Sequence, residues 1–371
     1  MNKTFNRIFF FAFILIWLGL TIVNFVIPKK KFSEQENRYL IEMPSFSFET
    51  LFNGNYMNTI DLSINDHFIF RDNWTSGQSI MEYGIGKRES NGVFIGKNAL
   101  FSKINPDENV IDSNISEINK FASRTKIPTN TMIIPSAAGI QKDRLPPFAP
   151  VCDEKKIIGD INKEVNNPVP VFETLYQNKN KYIYYRTDHH WTTYGAYLAY
   201  LEWCKAIGLT PVKYNAKKIN DNFNGTLYSR SGVRFVDSDT IEAYNSNNFN
   251  GCSIPEGNNV KKFNSIYFDK YRGLKDKYAY FLGPNKPVVT IYGKNKTGKK
   301  LIIFKDSYSH CLAPMMLEHF DEICLVDLRY INTDINKIIN VNNYDNALFL
   351  YSLDTFSTQS DIIKVNEKPT I

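Results

Sequence analysis

Cysteine is scarce in this sequence. The 371 residues include only five cysteines, and no two of them have the Cys-x-x-Cys spacing: Cys152, Cys204, Cys252, Cys311 and Cys324. The odd number and the missing spacing argue against a zinc ribbon and against a disulfide-rich scaffold. The low count does not conflict with an extracellular location, because a large domain is stable without disulfides.

A block of basic charge is also missing. Lys and Arg total 44 and Asp and Glu total 38, so the formal net charge is only +6, and the basic residues are spread along the chain. This distribution argues against nucleic acid as a partner. Aromatic residues, by contrast, make up 14% of the chain, which excludes an intrinsically disordered protein.

One long apolar run lies near the N-terminus. Residues 8–27 contain no charged side chain, and 20 residues of helix span about 30 Å, the thickness of a bilayer core. No small-residue cleavage site follows, so we predict an uncleaved signal anchor. The predicted organisation is a cytoplasmic tail at 1–7, a single transmembrane segment at 8–27 and an extracytoplasmic domain at 32–371. The lysines at 29–31 weigh against this orientation, because basic residues favour the cytoplasmic side.

The rest of the chain alternates short apolar runs with helical patterns. We predict a hairpin at 91–101, helices at 111–123 and 193–207, surface loops over the Asn-rich stretch 214–260, and buried strands at 131–136, 181–185, 278–283, 300–304, 322–328 and 346–351. This alternation indicates an α/β domain with a mainly parallel sheet flanked by helices. In such sheets the active site lies at the carboxyl ends of the strands.

Two polar clusters follow predicted strands of this sheet. Asp188 and His190 come after the run 181–185, and Ser307 comes after the run 300–304. A serine hydroxyl becomes a strong nucleophile when a base removes its proton, and histidine is the usual base. A carboxylate commonly orients that histidine. If the two strand ends are neighbours, these three residues would form an acyl-transfer triad.

Each cluster also has a purely structural interpretation. Ser307 would serve equally well as the N-cap of a helix, and the turn around His190 would serve as a hydrogen-bonded loop. The sequence Asp188, His189, His190 also allows a metal site. A metal hydrolase would need further Asp or His clusters at ligand spacing, and the other histidines stand singly in the sequence. We therefore expect no metal.

The segment TDHHWTTYGAY at 187–197 resembles the signature of the DHHW proteins. These are similar to the alginate acetylation proteins, a branch of the SGNH-hydrolase-like O-acetyltransferases. Five further segments resemble that family in the expected order: FSEQENRYL (32–40), DHFIFRDNW (66–74), NGVFIGKNALF (91–101), FKDSYS (304–309) and VDLRY (326–330). The resemblance covers nearly the whole chain after the anchor and implies an SGNH-hydrolase-like fold.

The resemblance implies a Ser–His–Asp triad in which the Asp-x-His motif precedes the serine in the chain. It assigns Ser307 as the nucleophile, His190 as the base and Asp188 as the orienting carboxylate. His189 occupies the variable position of the motif and receives no catalytic role. Trp191 matches the aromatic residue of the family and is expected to pack against the substrate site.

Three further residues are expected to bind substrate. Arg329 matches a family arginine that would meet the sugar or the oxyanion. Gly283 and Asn285 are candidates for the oxyanion-hole residues of ordinary SGNH hydrolases. The serine motif has Lys305 before Asp306 where those enzymes have glycine, so the sequence leaves the shape of the nucleophile turn open.

The first functional hypothesis is an O-acyltransferase, in particular an O-acetyltransferase, that modifies an extracellular or cell-wall polysaccharide through an acyl-serine. It needs no cofactor, and the family implies a membrane-bound O-acyltransferase partner that supplies the acyl group. The second hypothesis is a carbohydrate esterase with the same triad. The third is a non-catalytic anchored scaffold or carbohydrate-binding subunit. Residues alone do not separate the first two, because only the acceptor, sugar or water, differs.

Overall fold

The computed structural model describes residues 3–33, 38–256 and 259–366. The start of the predicted tail at 1–7, the middle of the segment 32–40, and parts of the predicted domain 32–371 lie outside the described residues. The chain divides into two compact units, Met1–Lys87 with Tyr228–Phe235, and Arg88–Leu227 with Val236–Ile371.

The first unit is mainly helical. Its elements are helix α1 (Lys3–Val26), strands β1 (Phe32–Ser33) and β2 (Arg38–Tyr39), and helices α2 (Phe48–Phe52), α3 (Asn55–Asp66) and α4 (Arg71–Gly84). Within the described residues, α1 is the one helix long and apolar enough to cross a membrane, by length and composition. Its apolar window is not buried by the rest of the protein.

A buried carboxylate fastens the segment after α1 to the end of α3. Asp66 accepts hydrogen bonds from the Arg38 guanidinium at 2.5 and 2.8 Å and from the Ile41 N–H at 2.9 Å. The Arg38 hydrogen bond outweighs the effect of burial and lowers the pKa of Asp66 to about 2.

The second unit is built on a seven-stranded mixed sheet. Its strands are β6 (Thr129–Ile134), β9 (Phe249–Glu256), β10 (Asn259–Phe263), β11 (Val288–Gly293), β12 (Lys300–Lys305), β13 (Glu322–Val326) and β14 (Asn346–Ser352). The same unit has two smaller sheets. One consists of β3 (Glu89–Ser90), β4 (Val93–Gly96) and β5 (Ala99–Ser102), and the other of β7 (Ala216–Phe223) and β8 (Asp239–Tyr244). The order across the sheet is β10-β9-β11-β13-β12-β14-β6.

The sheet is only half parallel, which corrects the prediction of a mainly parallel sheet. The neighbours β13-β12, β12-β14 and β14-β6 are parallel, whereas β10-β9, β9-β11 and β11-β13 are antiparallel. The antiparallel half includes β9 and β10 from the Asn-rich stretch, where we predicted loops. β10 has mostly exposed side chains, so its sequence lacks the apolar run of a buried strand.

Two predicted strands are also corrected. The run 181–185 forms only an isolated bridge between Tyr184 and Trp191, and Tyr184 and Tyr185 are buried without a strand ladder. The run 278–283 begins as a 3₁₀ turn, Lys277–Tyr280, because the Asp276 side chain accepts the Ala279 N–H and starts a turn there. The strands predicted at 131–136, 300–304, 322–328 and 346–351 are confirmed.

Helices pack against the sheet and build one apolar core. In the second unit they are α5 (Glu108–Thr125), α6 (Ala137–Ile140), α7 (Glu154–Glu164), α8 (Phe172–Gln177), α9 (Thr193–Ile207), α11 (Ser309–Met316), α12 (Ile335–Ile338) and α13 (Leu353–Thr358), while α10 (Thr226–Ser231) joins the two units in sequence. The ring of Phe121 on α5 meets Phe304 on β12 at 5.2 Å and Phe349 on β14 at 5.4 Å, both edge-on. This packing holds the parallel strands β12 and β14 in place, and Ser307 follows the carboxyl end of β12.

Candidate active site

Asp306 shapes the turn that presents Ser307. Its Oδ1 accepts the Tyr308 N–H at 3.0 Å, and its Oδ2 accepts the N–H and the hydroxyl of Ser352 at 2.8 and 2.7 Å. The buried carboxylate thus joins the ends of the parallel neighbours β12 and β14. Ser307 is left half-buried beyond the carboxyl end of β12, where it lines a cavity.

Three side chains from distant positions meet in one hydrogen-bonded chain. The Oγ of Ser307 lies 2.7 Å from Nε2 of His190, and Nδ1 of His190 lies 2.5 Å from Oδ1 of Asp188. The Asp188 carboxylate also accepts the His190 N–H at 3.0 Å. Because an ionised carboxylate only accepts hydrogen bonds, Nδ1 carries the proton and Nε2 is available to take the serine proton.

Asp188 is buried but remains charged. It is 2% exposed, and its Oδ2 accepts the Thr226 N–H at 2.8 Å and the Thr226 hydroxyl at 3.0 Å. Burial by itself raises the pKa of a carboxyl group. The charges of His189 and His190, with the hydrogen bonds from His190 and Thr226, outweigh burial and hold the pKa of Asp188 well below its usual range.

A tyrosine from the 3₁₀ turn at 277–280 supports the His190 ring. The Tyr278 ring stacks on it at 3.9 Å with 10° between the planes, and the Tyr278 hydroxyl donates to the Ser307 carbonyl at 3.2 Å. The sequence analysis missed both this residue and Thr226. Tyr278 sits in a run predicted as a strand, and Thr226 sits in the stretch predicted as loops, so the local pattern carried no signal for either.

Trp191 packs beneath the site. Its side chain is 0% exposed, and its Nε1–H donates to the Tyr308 carbonyl at 3.0 Å. The Tyr308 hydroxyl in turn donates to the His189 carbonyl. These two bonds lock the His190 turn to the Ser307 turn. Trp191 therefore contributes packing, and its assignment as a substrate-binding residue stays a prediction.

Arg329 lines a small cavity together with Ser307. The cavity has a volume of about 200 Å³, and its wall includes His189 and Asp354. The Arg329 guanidinium is held by both oxygens of Asp327, at 2.8 and 2.7 Å, so it faces the cavity with a fixed orientation. A guanidinium held in this way recognises an anion or an oxygen atom of a bound ligand.

Lys305, the residue before Asp306 in the serine motif, is not among the described residues that line the cavity. It is 1% exposed, and its Nζ lies 2.8 Å from Nε2 of His310 and 3.3 Å from Oδ2 of Asp327. Burial lowers the pKa of Lys305. The turn at Ser307 accommodates lysine because the side chain lies within this buried polar cluster.

Gly283 and Asn285 lie apart from the cavity wall. Neither is among the described residues that line the cavity around Ser307. The Gly283 N–H donates to the Ala279 carbonyl at 3.1 Å, so that donor is already used within its own turn. The oxyanion-hole role of these two residues stays a prediction. The N–H of Ser307 itself has no acceptor within hydrogen-bonding distance in the described part of the chain.

The donor atoms of Asp188, His189 and His190 lie within 4.8 Å of one another. A metal ion there would compete with existing hydrogen bonds, because both ring nitrogens of His190 are engaged, one by Asp188 and one by Ser307. The arrangement is better suited to proton transfer from a serine hydroxyl than to metal ligation.

Comparison with known proteins gives a family and several related folds. The family model described as DHHW protein matches residues 96–326. A DHHW family protein from Eubacterium siraeum aligns with 25% identity and a TM-score of 0.66, over 76% of this chain and 98% of that one. No curated protein sequence matches significantly.

Structures at lower identity extend this likeness. Bacillus cereus PatB1 aligns with 19% identity and a TM-score of 0.61, over 72% of this chain and 98% of that one, and its structure with a sulfonyl adduct has a TM-score of 0.59 at 19% identity, over 72% of this chain and 96% of that one. The O-acetyltransferase domain of Pseudomonas putida AlgJ aligns with 14% identity and a TM-score of 0.46, over 72% of this chain and 93% of that one.

Proposed function

The chain belongs to the DHHW protein family, and on this basis we propose that it is a serine-dependent O-acyltransferase that acts on a polysaccharide. The observation that carries the proposal is the hydrogen-bonded chain from Ser307 through His190 to Asp188, at 2.7 and 2.5 Å. A helix cap would explain Ser307 and a polar turn would explain His190, but neither would require the two side chains to meet.

The reaction follows from the positions of these groups. His190 Nε2 removes the proton as Ser307 Oγ attacks the acyl carbonyl, and we propose that the Ser307 N–H stabilises the oxyanion. His190 then protonates the leaving group, which leaves an acyl-serine. A sugar hydroxyl attacks this ester and gives its proton to His190, and His190 passes that proton to Ser307 Oγ as the bond between Oγ and the acyl carbon breaks.

The cavity supports a short acyl group. At about 200 Å³ it is smaller than the roughly 300–1,000 Å³ typical of ligand pockets. Arg329 is well placed to bind an oxygen of the acyl donor or of the sugar. We therefore propose acetyl as the acyl group, with no cofactor at this step.

We further propose that helix α1 anchors the protein in the membrane and that the second unit lies outside the cytoplasm. The length and the apolar composition of α1 support a membrane span. Because acetyl-CoA is absent outside the cell, the acyl group must be passed across the membrane, and we propose a membrane-bound O-acyltransferase as the partner that does this.

The first test uses the full chain in detergent with an activated acetyl ester. We expect a covalent acetyl adduct, detected by intact mass, in the wild type and none in Ser307→Ala or His190→Ala. Ser102→Ala is the matched control: Ser102 lines the same cavity, but the serine that contacts His190 is Ser307. Ser102→Ala should form the adduct as the wild type does.

Candidate oligosaccharides added to the acylated protein then separate the two enzymatic hypotheses. Acetyl transfer to sugar supports the transferase, and release of acetate alone would identify an esterase. A folded wild-type protein that forms no adduct with several esters would favour the non-catalytic scaffold.

A further inference from the structure

The second oxygen of Asp188 has its own hydrogen-bonding partner. While Oδ1 faces His190, Oδ2 accepts both the N–H and the hydroxyl of Thr226, at 2.8 and 3.0 Å. Hydrogen bonds to an ionised carboxylate are stronger than bonds between neutral groups. With both oxygens occupied, the carboxylate cannot rotate about its last side-chain bond without losing a charged hydrogen bond.

Gly225 makes this approach sterically feasible. A Cβ at Gly225 would lie 2.3 Å from both Cβ and Oδ2 of Asp188, far inside any allowed contact. The Gly225 N–H donates to Oγ1 of Thr187 at 3.1 Å, which fixes the same stretch of backbone. Only glycine at 225 allows the carboxylate to lie directly against the chain that carries Thr226.

The hydroxyl of Thr226 connects Asp188 to a second histidine. Nδ1 of His189 lies 2.7 Å from Thr226 Oγ1. Because the hydroxyl has one proton and gives it to the charged Asp188, the Thr226 oxygen must accept the Nδ1–H of His189. The result is a chain of donors, from His189 to Thr226 to Asp188, which mirrors the donation from His190 on the other oxygen.

We propose that Thr226, supported by Gly225 and His189, is a positioning residue that holds the Asp188 carboxylate in the orientation needed to align His190 with Ser307. The proposal rests on the proposed function, because it concerns the same Ser307 chemistry. It gives His189, which received no role from the sequence, a part in the site through Thr226. It also explains why a polar, Asn-rich segment reaches into the buried end of the triad.

The test compares Thr226→Val with Thr226→Ser in the full chain. Valine keeps the shape and the backbone N–H but removes the hydroxyl, whereas serine keeps the hydroxyl. The readout is the rate of sulfonylation by an aryl sulfonyl fluoride: Ser307 Oγ bonds to sulfur, the sulfur–fluorine bond breaks, His190 takes the serine proton, and fluoride leaves. Because Thr226→Val loses one hydrogen bond to a charged group, we expect its sulfonylation rate to be about 10-fold lower than that of the wild type. Thr226→Ser should stay within about 3-fold of the wild type.

The pH dependence of this rate separates positioning from a general structural role. If Thr226 acts on His190 through Asp188, the acid limb of the rate profile should differ between Thr226→Val and the wild type. Thr226→Ser should keep the wild-type limb. Equal rates and equal limbs in Thr226→Val and the wild type, or an equal loss in both Thr226 variants, would overturn the proposal.

A second pair of variants tests the His189 end of the chain without disturbing the buried core, since the His189 side chain is 37% exposed. His189→Asn places an amide N–H where Nδ1 lies, and His189→Gln moves its amide beyond that point. We expect His189→Asn to label at close to the wild-type rate and His189→Gln to label several-fold more slowly. The reverse order, or equal rates in the two variants, would contradict the proposed hydrogen bonds from His189 through Thr226 to Asp188. A wild-type protein that is not labelled at Ser307 would instead refute the proposed function itself.

Discussion

At the scale of single residues, the site depends on a carboxylate that stays ionised although it is buried. Asp188 is 2% exposed, yet its pKa lies well below the usual range because positive and hydrogen-bonding groups surround it. A depressed pKa in the folded state contributes stability above the pKa of the unfolded chain, and this stability is lost as pH falls through the folded value. Asp188 is therefore ionised at neutral pH although it is buried.

This leads to a prediction about acid inactivation. The sulfonylation rate of Ser307 should fall on acidification with the slope of a single proton, because one base contacts Ser307 and the lowered pKa of Asp188 keeps that carboxylate ionised. Asp188→Asn should reduce the rate on the order of 10³- to 10⁴-fold at neutral pH, since the amide favours the wrong imidazole tautomer. Labelling rates between pH 4 and 9 provide the measurement. A two-proton slope would mean that Asp188 is also protonated within this range and that its pKa is not lowered.

At the scale of elements, the start of helix α9 fixes the turn that carries His190. Thr192 is its N-cap: the hydroxyl accepts the Gly195 N–H at 3.2 Å and donates to the Tyr182 carbonyl at 2.7 Å. The helix thereby holds both ends of the turn, because the Thr192 N–H also donates to the Ile183 carbonyl at 2.9 Å. The sequence predicted this helix with its observed bounds, 193–207.

Removal of this cap should destabilise the second unit. Thr192→Ala leaves the Gly195 N–H and the Tyr182 carbonyl without the hydroxyl, at a cost of about 1–2 kcal/mol in the free energy of unfolding. Thr192→Ser keeps the oxygen and should cost less than half of that. Urea unfolding followed by fluorescence gives both values. Equal losses in the two variants would mean that the Thr192 methyl group, and not the cap, provides the stability.

In the first unit, a comparable element contact depends on pH. Asp66 joins the end of α3 to Arg38 and Ile41, and its pKa is lowered to about 2 from 3.8. A lowered folded pKa means that this contact stabilises the fold above the unfolded value and loses that effect as the pH falls toward 2. The first unit should therefore loosen in acid as Asp66 becomes protonated.

Asp66→Asn tests this contact by hydrogen exchange of peptides from residues 38–70. At pH 6 the variant should exchange faster than the wild type. Between pH 4 and pH 2 the difference should shrink, because the carboxyl group is protonated first in the opened segment and then, near pH 2, in the folded protein. Comparison at equal pH removes the intrinsic dependence of exchange on acidity. A constant difference across pH 3–7 would show that the charge of Asp66 is not what matters.

At the scale of the whole molecule, the proposed membrane topology is open to direct measurement. In a Cys152→Ser background, which removes the half-exposed thiol, a cysteine introduced by Lys163→Cys on the second unit should react with a membrane-impermeant maleimide in intact cells. A cysteine introduced by Asn6→Cys at the start of α1 should react only after permeabilisation. The opposite pattern would place the second unit in the cytoplasm and would remove the need for a partner that passes acyl groups across the membrane.

Local sequence patterns determined a definite part of this protein. The strands of the parallel half are short apolar runs, and the 3.6-residue spacing identified α9, because each pattern reflects contacts within one element. The motifs TDHHW and KDS also predicted Asp188, His190 and Ser307 as site residues. The family that these motifs indicate is confirmed. For Ser307 the position after a strand is enough, because the carboxyl edge of a parallel sheet gathers such side chains. For Asp188 and His190 the motif itself was the signal, because the run before them is not a strand.

The tertiary structure alone decided which distant residues support those three. Thr226 reaches Asp188 across 38 positions, and Tyr278 stacks on His190 from a turn that reads as a strand. Strands β9 and β10 complete the sheet although their polar sequence resembles loops. The physical reason is common to all of them: their positions follow from packing and hydrogen bonds between segments far apart in the chain, and a local pattern records only which face of its own element is buried.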